Sequence, residues 1–175
     1  MRKLFLFLAL ALLAGGLHAQ DSDKYFKKLP QEGFDLYFLS PTAFKSKPGK
    51  VRLEADYTFQ YYKQMPASVD MKFSLFSKTA LRSLDSLAFF AGSRRLDAAA
   101  SPEIMFLQKE KGKWHSRFST PLPYTTLQQI LEAGPELKIL VYSDGKAISF
   151  PAGKDWREAA AVLKEILAVE IRMGE

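Results

Sequence analysis

His115 lies in the run Lys113-Trp114-His115-Ser116-Arg117, and in an extended chain alternation puts Lys113, His115 and Arg117 on one face. An imidazole between two cations is disfavoured in its charged form, which suits a general base. A base needs a nucleophile or an acid beside it. No Gly-x-Ser-x-Gly elbow and no fixed spacing joins His115 to a particular serine or aspartate. The plainer expectation is a solvent-facing histidine on a hairpin. The 19 acidic residues allow a glycosidase-like carboxylate pair, yet no motif singles out two of them. Metal chemistry finds no His/Cys cluster, and the nearest approach to a calcium loop, Asp21-Ser22-Asp23, lacks the glycine and distal glutamate such a loop needs. Walker and dinucleotide glycine loops are missing too, so neither a metal nor a cofactor is expected. The chain leans away from catalysis; a small hydrolase using His115 or a carboxylate pair is the enzymatic alternative.

Two groups of residues could bind rather than react. Lys111, Lys113, His115 and Arg117 on one hairpin, with Arg94 and Arg95 at another turn, form a basic surface if the two turns share one end of the molecule. Such a surface steers anionic envelope polymers or acidic glycans; otherwise these are solvated turns. The second group is aromatic. Tyr62 and Phe76 point away from the apolar face of their strands, so they open a partner-binding patch if that face is bare and join the core if it is covered.

The elements that must hold these residues are mostly strands. In residues 51–62, Val51, Leu53, Ala55, Tyr57, Phe59 and Tyr61 alternate with polar neighbours, the period of a half-buried strand. Alternation resumes at Val69, Met71, Phe73 and Leu75, predicting an antiparallel hairpin. Three further hairpins follow from their turns. Gly92-Ser93 places Phe89 opposite Leu96 and Leu87 opposite Ala98. Lys111-Gly112 places Met105 opposite Phe118 and Leu107 opposite Ser116, with Trp114 on that same apolar side. Asp144-Gly145 places Val141 opposite Ile148 and Ile139 opposite Phe150. Thr125 or Thr126 can cap a short helix that Gly134-Pro135 stops, and Asp155 can cap a second, with Trp156, Ala160, Leu163, Leu167 and Ile171 along one stripe. Before all of these, Phe34 to Leu39 suggests one short strand or turn.

Met1 to Gln20 reads as an export signal: Arg2 and Lys3, an apolar run of 14 residues from Leu4 to Leu17, and a small residue at Ala19. That run is short of the ~20 residues a spanning helix needs. Cleavage after Ala19 lowers the net charge from +6 to +4, mildly basic and without the stripe of a nucleic-acid binder. With no Cys the chain forms no disulfide and takes no lipoprotein anchor, and with no Asn it has no N-glycosylation site. Together these favour a bacterial periplasmic or secreted protein, soluble and without stable membrane insertion after cleavage.

From Trp114 to Leu167 the chain runs strand, Leu-Pro, short helix ending in Gly, Asp-Gly hairpin, amphipathic helix. That order resembles the C-terminal half of secreted invasion-associated locus B-type proteins. Those carry cysteines in this region and this chain has none, so the resemblance implies architecture and no site residues. The expected fold is mainly β (α+β): an antiparallel β-sandwich-like domain of about eight strands with a short helix and a C-terminal amphipathic helix. Residues 1–19 are the signal peptide, 20–49 an N-terminal segment with a short strand and loop, and 50–175 the β-rich part that forms one compact domain with it. The leading functional expectation is a non-enzymatic binding or envelope-assembly module acting on an envelope protein or an anionic polymer. An apolar-ligand pocket between sheet and C-terminal helix is the other alternative.

Overall fold

The computed structural model describes residues 23–47, 50–62, 65–66 and 68–171, so the expected signal peptide lies outside the described residues, as do Asp21 and Ser22. The described chain is mostly β, in two antiparallel sheets. The strands are β1 (Phe26–Gln31), β2 (Phe34–Lys45), β3 (Arg52–Tyr62), β4 (Met65–Pro66), β5 (Val69–Ser77), β6 (Ser86–Ala91), β7 (Arg94–Ala100), β8 (Glu103–Glu110), β9 (Lys113–Leu122), β10 (Leu137–Ser143) and β11 (Lys146–Pro151). Helices α1 (Tyr124–Ala133) and α2 (Lys154–Glu170) follow β9 and β11. Sheet I has the order β1-β2-β3-β5-β9-β8, with β4 paired to β3; sheet II has the order β11-β10-β6-β7. The chain thus leaves sheet I after β5, returns for β8 and β9, and leaves again for β10.

Each sheet buries one face in a common core. Leu53, Ala55, Tyr57 and Phe59 of β3, Val69, Met71, Phe73 and Leu75 of β5, and Phe118 of β9 meet Leu87, Phe89, Ile139, Val141 and Phe150 of sheet II. Alternation places them there, since residues two apart share a face. A fully buried aromatic or aliphatic side chain contributes about 1.5–3 kcal/mol, which is what a chain without disulfides has to rely on. Both helices close this core. In α2, Trp156, Ala160, Leu163 and Leu167 are buried along the expected stripe, as is Ile171 just beyond it. The Trp156 indole N–H donates to the Gly134 carbonyl at 2.9 Å, tying α2 to the end of α1.

The Asp144-Gly145 hairpin has the expected register, Val141 opposite Ile148 and Ile139 opposite Phe150. The Gly92-Ser93 hairpin does not: Phe89 faces Asp97 and Leu87 faces Ala99, because a bulge at Leu96 inserts one residue. In the Lys111-Gly112 hairpin Leu107 faces Ser116 as expected, but Ile104, not Met105, faces Phe118, and Met105 is the extra residue of a second bulge. Neither helix is capped as expected. Pro123 occupies the N-cap of α1 and Gly153 that of α2, without a side-chain cap bond, and Asp155 lies two residues past that cap, in the first turn. The N-terminal segment holds two paired strands instead of one, since β2 runs for 12 residues through Phe34 to Leu39 and β1 adds an edge beside it.

Candidate functional site

The face of sheet I turned away from the core carries the polar residues, and register lines them up across four strands. Arg52, Phe76, His115 and Gln108 form one cross-strand row. Glu54, Ser74, Arg117 and Phe106 form the next, and Asp56, Lys72, Ser119 and Glu103 the third. An antiparallel sheet may leave one face to water, but here that face is knitted together.

His115 is at the centre of it. Its ring stacks on Phe76 with centroids 4.3 Å apart and meets the edge of Phe106 at 4.8 Å. Nε2 lies 2.9 Å from the Ser74 hydroxyl oxygen, and Arg117 Nη1 donates to that oxygen at 3.1 Å. Arg117 Nη2 donates to Asp56 Oδ2 at 2.8 Å. Nδ1 of His115 is buried without a hydrogen-bond partner, and Glu110 Oε1 is 3.9 Å from it. The result is a chain Asp56, Arg117, Ser74, His115, Glu110. The expected solvent-facing histidine is instead clamped between two rings. Burial lowers its pKa from the ordinary value; Glu110 opposes that shift and Arg117 adds to it. Burial raises the pKa of Asp56, against the pull of Arg117.

Serine, histidine and glutamate in this order resemble a nucleophile, base and orienting acid, but the arrangement is closed. Ser74 is 3 % exposed, beneath the side chains around it, and its oxygen already accepts a bond from Arg117. A nucleophile must reach a carbonyl carbon at about 3–3.5 Å, which this hydroxyl cannot do. The neighbouring carboxylates are committed as well, Asp56 to Arg117 and Asp70 to Lys72 and Ser119. Among the described residues no group of three or more His, Cys, Asp or Glu side chains could hold a metal ion.

The six expected basic residues are divided between the two sheets. His115 and Arg117 meet through Ser74 and are spent on that contact. Lys111 and Lys113 remain exposed at the tip of the β8–β9 hairpin in sheet I, whereas Arg94 and Arg95 begin β7, at an edge of sheet II. Tyr62 and Phe76 are likewise apart. Phe76 is opposite Arg52, whose guanidinium lies 5.5 Å from the ring centre, and is held between that cation and His115. Tyr62, exposed, is ten residues further along β3, about 33 Å away at about 3.3 Å per residue.

The exposed apolar group is elsewhere. Ile104, Met105 and Phe106 of β8 are 39 %, 49 % and 38 % exposed, side by side on a sheet edge. Their signal in the sequence is the unbroken run Ile104-Met105-Phe106-Leu107, which a half-buried alternating strand does not contain. Two spaces have an expected counterpart. A groove of about 150 Å³ between α1 and α2 is lined by Tyr124, Leu131, Leu167 and Ile171, among others. That is half the lower end of the usual ligand range of about 300–1,000 Å³. A second, of about 350 Å³, lies between the ends of β2 and β11 and the start of α2, where Ala43, Pro151 and Ala152 are joined by Lys45, Lys47, Lys154 and Asp155, three cations to one carboxylate.

No family model matches the chain, and neither a curated protein nor a solved structure matches it.

Proposed function

We propose that the protein is an exported, non-enzymatic binding module that docks a protein partner of the cell envelope on the β8 edge of sheet I. The observation that carries this reading is that three consecutive apolar side chains of the edge strand, Ile104, Met105 and Phe106, are exposed, Ile104 on the core side of the sheet and Phe106 on its outer side across the bulge, beside a sheet whose other large apolar side chains are mostly in the core. Exposed apolar side chains gathered on one strand edge are a feature of interaction sites. Glu103 borders the group at one end, and Lys109, Glu110, Lys111 and Lys113 lie at the far end of the same hairpin, so charges of both signs flank it. Export rests on the signal pattern of residues 1–20; among the described residues no helix is long and apolar enough to cross a membrane.

The test is a crosslinked pull-down from the protein's own cell envelope with tagged residues 20–175, alongside Ile104→Ser/Met105→Ser/Phe106→Ser. A protein held through high salt by the parent and lost by the triple variant is the expected result. Equal capture by both overturns the docking site. A second reading is favoured by the lysine-lined space at Lys45, Lys47 and Lys154, where an acidic glycan would bind. It is distinguished by a catch that disappears at high salt and in Lys45→Glu/Lys47→Glu.

A further inference from the structure

The proton positions in the Ser74–His115 contact are limited by what its neighbours can do. Arg117 only donates, so its bond at 3.1 Å takes a lone pair of the Ser74 oxygen. His115 Nε2 is 2.9 Å from the same oxygen. The contact can be made in two ways: Nε2–H donating to the second Ser74 lone pair strands the Ser74 hydrogen, and Ser74 donating to a bare Nε2 puts a buried Nδ1–H short of Glu110; the latch proposed below takes the second. A protonated ring cannot keep this arrangement. Both nitrogens would donate, the Ser74 hydrogen would lose its acceptor, and a second cation would share Ser74 with Arg117. Nδ1–H would still be short of a bond, because 3.9 Å to Glu110 exceeds hydrogen-bond reach.

The charges around the ring decide which way it would go. Arg117 and Lys113 share its face of β9, Arg52, Glu54 and Asp56 come from β3, Asp70 and Lys72 from β5, and Glu103 and Glu110 from β8. Asp56 is bound to Arg117, Glu54 to Arg52, and Asp70 to Lys72. Glu103 faces Ser119, two rows away, whereas Glu110 accepts from the uncharged Gln108, is more than half exposed and lies 3.9 Å from His115 Nδ1, so it is the carboxylate placed to take up an imidazolium.

We propose that His115 is a proton-operated latch on the β8 edge: the neutral ring, fixed by Ser74, seats Phe106, and the protonated ring leaves Ser74 for Glu110 and releases Phe106 with the Ile104–Phe106 group. That this release regulates partner binding rests on the docking reading above; the latch itself does not. Release occurs on acidification, beginning below the ordinary histidine value of 6.5.

The test is nitrogen-15 NMR of the imidazole with amide exchange protection of residues 103–110, on residues 20–175 between about pH 7.5 and about pH 5. At the upper end the ring is expected as the Nδ1–H tautomer. As it titrates, protection at 104–106 falls by about tenfold or more while that of β3 holds. An Nε2–H tautomer, or protection unchanged through the titration, overturns the latch. Glu110→Gln, at an exposed position, is expected to fold and to move release to lower pH; release at the parent's pH also overturns it. Partner capture at both pH values separates the two readings. Equal capture throughout leaves docking standing and removes the regulation, whereas loss of protection with no partner caught at either pH leaves the latch and removes docking.

Discussion

Replacing Arg117 by Met leaves a carboxylate stranded. Asp56 is 2 % exposed, and Arg117 Nη2, at 2.8 Å, is the cation bonded to it. Removing one partner of a buried pair costs about 3–5 kcal/mol. The Arg117 side chain is 24 % exposed, so water reaches part of the site and the lower end, about 3 kcal/mol, is the expected loss near neutral pH. The loss depends on pH in a direction the structure fixes. Burial holds the Asp56 pKa above its ordinary 3.8, and Arg117 pulls against that rise. A carboxyl with a raised folded pKa takes up protons on folding, so its share of stability falls as pH climbs from 3.8 through the folded value. Without Arg117 the folded value climbs and the window widens upward, with a slope of at most about 1.36 kcal/mol per pH unit. Urea unfolding of parent and variant at about pH 5 and about pH 7.5 therefore shows a larger deficit at the higher pH. Asp56→Leu/Arg117→Met is expected to recover most of it, because the buried charge is gone. A deficit below about 1 kcal/mol at neutral pH, or one equal at both pH values, refutes the reasoning.

Two substitutions test the frame around the site. Gly145→Ala forces a Cβ onto a backbone at φ 70°, with nothing within 4 Å to clash, so its cost is purely conformational. About 1–2 kcal/mol is expected, lowering Tm by about 2–8 °C in a thermal melt. Trp156→Phe removes the indole N–H from the Gly134 carbonyl inside the core and is expected to cost about 1–3 kcal/mol in urea unfolding beyond any packing loss. Trp114→Phe, at a half-buried position, costs less.

Local chemistry was readable where it decided the outcome alone. Asp144 and Gly145, at φ 51° and 70°, satisfy a two-residue turn, and the register of β10 with β11 follows from it by counting. Gly92-Ser93 turns as cleanly, but counting fails four residues on, at Leu96. The displaced Asp97 bonds the Ala98 amide and accepts from Thr126 in the first turn of α1, which lacks a cap bond of its own. A contact with a helix 29 residues away accompanies that bulge, and no local pattern announces it. The site divides in the same way. Alternation alone put Lys113, His115 and Arg117 on one face, whereas their partners Ser74 and Asp56 are 41 and 61 residues distant, supplied by the pairing of β3, β5 and β9.

The bulge at Met105 bears on what can bind the β8 edge. On its two sides the strand keeps opposite parity: Ile104 pairs with core-facing Phe118, and Phe106 pairs with outward Arg117. An added strand could follow that alternation up to Met105 or beyond it, but not through it, so β8 resists the continuous edge-to-edge pairing that drives aggregation. The same insertion keeps Met105 at the surface between Ile104 and Phe106, so a partner meets side chains there, not a strand template. Deleting Met105 should undo both effects, since Glu103 to Glu110 would then alternate without interruption beside β9. The deleted chain is expected to self-associate through β8, seen as sedimentation that grows faster with concentration than the parent's. A folded deletion variant that sediments as the parent does would refute the claim that the bulge guards this edge.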